Sequence, residues 1–178
     1  MLLFARERSR EEWLKNARRT LMAALFAVMA APASRAETSV AWRDWDTGLQ
    51  EARRLDRPIL VDVYTQWCGW CKRMDRDVYA RPAVRDYLAS KFVTIKIDAE
   101  AAKPAKYGDR DHTSRSLAAL FRVTGYPTTL FLRADGKHLV NVPGYVEADN
   151  FLLVLRYVGD GNLDRGVTWE EFRGEAKP

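Results

Sequence analysis

A chain of 178 residues, 47% of them apolar, can bury one substantial core and hardly two. Its formal charge of +5 is concentrated at the front: residues 1–36 hold seven Lys/Arg against three Asp/Glu, which leaves 22 against 21, a net of +1, in residues 37–178. A body so close to neutral excludes an electrostatic case for nucleic-acid binding.

Residues 1–36 have the layout of an export signal. A charged stretch closes at Arg18-Arg19, an apolar run follows from Leu21 to Ala31, and "ASRA" puts the small residues Ser34 and Ala36 before a cut. Eleven apolar residues reach about 16 Å as a helix, short of a bilayer core of roughly 30 Å, which favours export over anchoring. The paired arginines loosely resemble a twin-arginine signal. The mature chain is therefore expected outside the cytoplasm, in a bacterial periplasm, where disulfides persist unless something reduces them.

Residues 37–162 carry no repeat and read as one domain. In "DWDTGLQEARRLDRP", Trp45, Leu49, Ala52 and Leu55 share one helical face, and Pro58 ends the helix. "ILVDVY" (59–64) is a β-branched run interrupted by one acid, the mark of a strand buried on both faces. "CKRMDRDVYA" predicts a helix up to Pro82, and "PAVRDYLASK" another that starts at that proline. "FVTIKID" (92–98) is a second central strand. Residues 99–113, polar and holding Pro104 and Gly108, read as a loop, and "SRSLAALFRV" as a helix ending near Gly125. "TTLFL" and "KHLVNV" form a hairpin around Ala134-Asp135-Gly136, and a last helix runs from Ala148 to Val158. Residues 163–178 are set apart as a polar C-terminal tail. The order α-β-α-α-β-α-β-β-α gives an α/β domain with a mixed sheet flanked by helices.

The chain has two cysteines, Cys68 and Cys71, in "WCGWC". A C-x-x-C can be half a metal site, a haem attachment, a staple or a redox centre. Haem attachment needs His after the second cysteine, where Lys72 stands. A structural zinc site needs four ligands, and His112 and His138 are the only histidines to complete it. A bridge across three residues restrains the unfolded chain little. The redox centre fits best, with no cofactor beyond the Cys68–Cys71 disulfide and no metal. Cys68 falls between a strand and a helix, where unpaired N–H groups favour its thiolate. Cys71, one turn on, can attack a mixed disulfide formed at Cys68. Gly69 allows a tight turn, and Trp67 and Trp70 frame the sulfurs with flat apolar surface.

"ILVDVYTQWCGWCKRM" resembles the active-site segment of the thioredoxin family, which implies a thioredoxin fold with a mixed central sheet and helices on both faces. Asp62 matches the family's buried acid, understood to relay a proton for the second cysteine. "VTGYPTT" resembles the family's cis-proline segment, so Tyr126 and Pro127 are expected beside the disulfide, where they would receive an extended substrate. Gly144 fits the glycine after the last strand. Within the family the layout is similar to the C-terminal thioredoxin-like domain of the membrane thiol:disulfide interchange reductase, on "ARPAVRDYL", the longer 99–113 segment and "FLRADGKHLVNVPGYVEADNF". That likeness implies protein thiol or disulfide substrates and a separate membrane electron donor; the chain is expected to act as a monomer.

Gly69-Trp70 supplies no charge between the cysteines, so a reducing potential is expected, nearer about −270 mV than about −120 mV. Two other classes stay open: a redox sensor, and a metal-relay or binding module without turnover, which would need His112 or His138 near the thiols.

Overall fold

The computed structural model describes residues 39–175, so the export signal expected in residues 1–36 lies outside the described residues. The first described helix, α1 (Trp45–Leu55), starts where the Asp44 side chain accepts a hydrogen bond from Thr47 N and ends at Asp56, whose left-handed backbone donates to Ala52 O. There follow β1 (Ile59–Tyr64), α2 (Gly69–Met74), a π-helical turn (Asp75–Tyr79), α3 (Pro82–Lys91) and β2 (Val93–Asp98). The second half holds β3 (Pro104–Tyr107), β4 (Arg110–Thr113), α4 (Ser114–Leu120), β5 (Thr128–Leu132), β6 (His138–Pro143), α5 (Ala148–Gly159) and α6 (Trp169–Glu175).

The main sheet has the order β2-β1-β5-β6, with β1 parallel to β2 and antiparallel to β5. Alternate residues of β1 serve two cores, which is why its sequence is apolar throughout. Val61 and Val63 pack with Trp45, Leu49 and Ala52 of α1 and Leu117 of α4. Leu60 faces the other way, toward Met74, Val78, Leu88, Phe131, Phe151 and Leu155. Helices therefore cover both faces of a mixed sheet, the fold that the resemblance implies. The chain ahead of α1 closes the outer edge of β2: Arg43 N donates to Thr94 O (3.0 Å), and Lys96 N donates to Arg43 O (3.1 Å). No helix among the described residues is long and apolar enough to cross a membrane.

Several elements depart from the sequence expectation. Residues 104–113 are a two-stranded hairpin, not a loop; Gly108 turns it with φ +60°. Tertiary contacts hold it: Trp45 Nε1 donates to Lys106 O (2.9 Å), Lys106 N donates to Asp46 (2.8 Å), and Tyr107 packs on Trp45 and Phe121. The helix after Cys71 is not regular to Pro82; α2 stops at Met74 and widens into the π turn, where Ala80 N bonds Asp75 O (3.2 Å). The helix from Ser114 ends at Leu120, before left-handed Arg122, rather than near Gly125. Residues 163–178, set apart as a polar tail, include α6, whose Trp169 and Phe172 rings lie against Tyr157.

Candidate active site

β1 delivers the chain to Tyr64, and Cys68 N then donates to Thr65 O (3.2 Å), which turns the backbone into α2 with Cys68 at its N-cap. A disulfide joins Cys68 to Cys71, with Cα atoms 5.3 Å apart. The Cys71 amide donates to Cys68 Sγ at 3.0 Å, so a first-turn N–H with no helical acceptor is aimed at that sulfur. A sulfur turned inward for both contacts is covered: Cys68 is 3% exposed. Gly69 differs from expectation. Its φ is not left-handed and a Cβ there would meet nothing within 4 Å, so neither conformation nor space requires glycine.

Two aromatic walls flank the disulfide. Trp67, 65% exposed, meets Tyr126 edge-on with centroids 6.0 Å apart and donates from Nε1 to Glu100 (3.0 Å). Trp70, 54% exposed, lies 5.4 Å from the Tyr145 ring, and the Arg73 guanidinium sits 5.2 Å and 5.1 Å from the two centroids. The Tyr126–Pro127 bond is cis. Thr128 pairs with Val63, so Pro127 stands beside the end of β1 that leads to Cys68; its carbonyl accepts from Gly144 N (2.8 Å). Gly144 has φ +83°, a backbone suited to glycine.

On the face of the sheet that packs against Met74 of α2, β1 carries Asp62, 1% exposed and two residues from Leu60. Cys71 and Met74, three apart on α2, are both buried, so the second cysteine is on the covered side of its helix. Lys96, opposite Asp62 in the β1–β2 register, places Nζ 3.1 Å from Asp62 Oδ2 and 2.6 Å from Asp75 Oδ1. The same ammonium lies 5.1 Å from the centroids of both Trp42 and Tyr64. Burial pushes the Asp62 carboxyl up to about 6; Lys96 pulls it down and Asp75 adds to the rise. Burial works against the Lys96 charge, yet Asp62 and Asp75 outweigh it and hold the ammonium above its ordinary pKa. Burial, then the Asp62 charge, holds the Tyr79 phenol well above its usual range. Among the described residues, the buried side-chain oxygens without a hydrogen-bond partner are Asp62 Oδ1, Thr65 Oγ1 and Tyr79 Oη.

The structure thus gathers Cys68, Cys71, Trp67, Trp70, Tyr126 and Pro127 at one end of the sheet, with Asp62 inside. The histidines bond elsewhere: His112 to Ser116 (3.3 Å) and His138 to Asn141 (2.6 Å). No group of three or more His, Cys, Asp or Glu among the described residues could hold a metal ion. Sequence reasoning missed Lys96, Asp75, Tyr79 and Tyr145. Lys96 had a signal, being the single cation within the apolar strand "VTIKI", as Asp62 is the single acid of "ILVDV".

The comparisons agree with this geometry. Residues 45–159 match the family described as a thioredoxin-like domain. Over 112 residues the chain is 34% identical to the thiol:disulfide interchange protein DsbD of Ralstonia nicotianae, covering 62% of this chain but only 17% of that protein. Among solved structures it is similar to a thioredoxin-fold protein from Helicobacter pylori, at 25% identity and TM-score 0.60, over 68% of this chain and 80% of that one. The fold also matches a thioredoxin from Thermus thermophilus, at 24% identity and TM-score 0.60, over 72% of this chain and 93% of the other. A match that runs from α1 to α5 and keeps the Cys68–Cys71 pair within it means that the chain belongs to the thioredoxin-like domain family.

Proposed function

We propose that this protein reduces protein disulfides outside the cytoplasm, with Cys68 as nucleophile and Cys71 as resolving thiol. The observation that carries the reading is the Cys71 amide aimed at Cys68 Sγ from the first turn of α2. An N–H in that position stabilises a thiolate on Cys68 more than on Cys71. The Cys68 thiolate attacks one sulfur of a substrate disulfide, forms a mixed disulfide and releases the other substrate sulfur as a thiolate. Asp62, ionised above about pH 6, takes the proton of Cys71. The Cys71 thiolate then attacks Cys68 Sγ and expels the second substrate thiol. Two electrons pass to the substrate, and the Cys68–Cys71 disulfide remains.

Trp67, Trp70 and Tyr126, with Gly69 open to solvent between the tryptophans and Pro127 buried at its edge, form the surface on which the substrate segment rests. The layout of residues 1–36 supports export to the periplasm. Similarity to part of a thiol:disulfide interchange protein supports a membrane-bound electron donor that returns the disulfide to the dithiol. Tested in thiol–disulfide buffers of known potential, the pair is expected to equilibrate nearer about −270 mV than about −120 mV; a value at the oxidising end overturns the direction. Cys71→Ser should trap a covalent complex with a disulfide-bonded protein, and Cys68→Ser should trap none. The reverse pattern reverses the two roles.

A further inference from the structure

The two aromatic walls beside the disulfide differ in how their polar groups are satisfied. Trp67 already has an acid, since its indole N–H donates to Glu100 at 3.0 Å. The Trp70–Tyr145 wall ends instead in a cation. Arg73, three residues after Trp70 on α2, holds its guanidinium 5.2 Å from one ring centroid and 5.1 Å from the other. Stacking fixes this long side chain at a position that is still 46% exposed. Among the described residues Asp77 is its one carboxylate partner, and Asp77 is committed elsewhere. Arg76 takes both Asp77 oxygens, at 2.8 Å and 3.0 Å, whereas Arg73 reaches Asp77 from Nε alone, at 3.3 Å. Two guanidiniums thus share a single negative charge. Glu147 accepts from the Tyr145 hydroxyl at 3.4 Å and makes no ion pair with Arg73. Among the described residues neither η nitrogen of Arg73 has an acceptor.

We infer that the Trp70–Arg73–Tyr145 face is a specificity site for substrate segments that carry an aspartate or glutamate within about two residues of the reacting cysteine. Reach sets the spacing. Arg73 stands about one helical turn, roughly 5 Å of axis, beyond Trp70, and an extended segment advances about 3.3 Å per residue. With Nε turned to Asp77, the guanidinium presents its η nitrogens as paired donors to a second carboxylate. Held between two rings, it gives up little freedom when that carboxylate binds. The unmatched positive charge supplies the complementarity, and the flat rings receive the apolar part of the same segment. Water screens the attraction, so the site expresses a preference rather than an absolute requirement.

The inference rests on Cys68–Cys71 being the reacting pair, as proposed above. The test uses synthetic peptides with a single cysteine held as a mixed disulfide with 2-mercaptoethanol, and with Glu, Gln or Lys next to that cysteine. The reduced full chain gives two electrons and two protons to each peptide disulfide and is left as the Cys68–Cys71 disulfide. Each rate constant is divided by that of the same peptide with dithiothreitol, which removes the effect of the added charge on the disulfide itself. At low salt the Glu peptide should react about threefold or more faster than the Gln peptide, and the Lys peptide slowest, with the differences shrinking at high salt. Arg73→Gln should abolish the Glu-to-Gln ratio and Arg73→Lys should keep only part of it, because an ammonium lacks the fork. Both variants leave Asp77 with Arg76 and change a half-exposed side chain, so they are expected to fold. Lys72→Gln, the same change of charge one residue earlier, should keep the ratio. A ratio near one in the parent chain, a ratio that survives Arg73→Gln, or one lost equally in Lys72→Gln overturns the inference. The ratio is also read in reverse, from the oxidised chain and the same peptides as free thiols, against their rates with the disulfide of 2-mercaptoethanol. A chain that proves to oxidise rather than reduce changes which direction is fast and leaves the ratio in place. If no peptide reacts in either direction, the reading of Cys68 as nucleophile falls, and this inference with it.

Discussion

At pH 7 the native chain holds an ionised Asp62 against its surroundings. The unfolded carboxyl titrates near pH 3.9, whereas burial pushes the folded one up to about 6. Below about pH 4 both states are protonated, and above about pH 6 both are ionised. Between those values the folded chain keeps a proton that the unfolded chain has released, so stability falls as pH rises through the window. A titration raised from near pH 3.9 to about 6 means that the charged acid takes about 3 kcal/mol from the native state at neutral pH. Asp62→Asn removes that cost and does not strand Lys96, which keeps Asp75 at 2.6 Å. The variant is therefore expected to be about 1–3 kcal/mol more stable than the parent at pH 7.5, with the gain vanishing near pH 4. Urea unfolding of the oxidised proteins at the two pH values measures it; an equal gain at both would mean that charge is not the cause.

The elements were legible where one stretch of sequence contained its own reason. β1 is a continuous apolar run, α3 starts on Pro82 at its first turn, and α1 shows Trp45, Leu49 and Ala52 on one face. The β3–β4 hairpin was not legible, because only Ala105 of its strand residues is buried and its holding contacts come from Trp45 and Asp46, about sixty residues earlier. In the site the cysteines, the tryptophans and Tyr126-Pro127 could be read from local motifs. The Asp62–Lys96 pair needed the strand register, and Asp75 and Tyr79 needed a π turn that no apolar period announces. Gly48 belongs with these: inside α1 it looks like a flaw, since Gly costs about 1 kcal/mol against Ala in a helix. In the fold it is what lets α1 approach β2, for a Cβ at that position would run into the Ile95 side chain. Gly48→Ala should therefore destabilise by about 1–2 kcal/mol despite its better helix propensity. Thermal unfolding checks this, and a stabilised variant would show that α1 can shift to make room.

On the scale of the whole molecule, α5 links the site to the C-terminal segment. It begins three residues after Tyr145, which packs on Trp70, and its twelve residues rise about 18 Å before reaching the end that carries Tyr157. There Tyr157 donates to Val167 O (2.7 Å), and Trp169 and Phe172 stack on each other and against its ring. Both aromatics join the core under the π turn, α3 and α5, so this stretch behaves as part of the domain although its composition is polar. A chain ending at Gly166 loses two half-buried aromatic rings and the Tyr157 acceptor, a loss of about 2 kcal/mol. It keeps every residue of the two aromatic walls, the disulfide and the Asp62 cluster. The truncated protein should unfold at lower urea concentration yet reduce a disulfide substrate with kcat/KM within about twofold of the full chain, since uniform stability loss below the folding threshold leaves transition-state contacts intact. Unchanged urea resistance would mean that α6 contributes nothing to the core. A large fall in kcat/KM at full folding would mean that the segment reaches the substrate, and the surface assigned to binding would have to extend along α5.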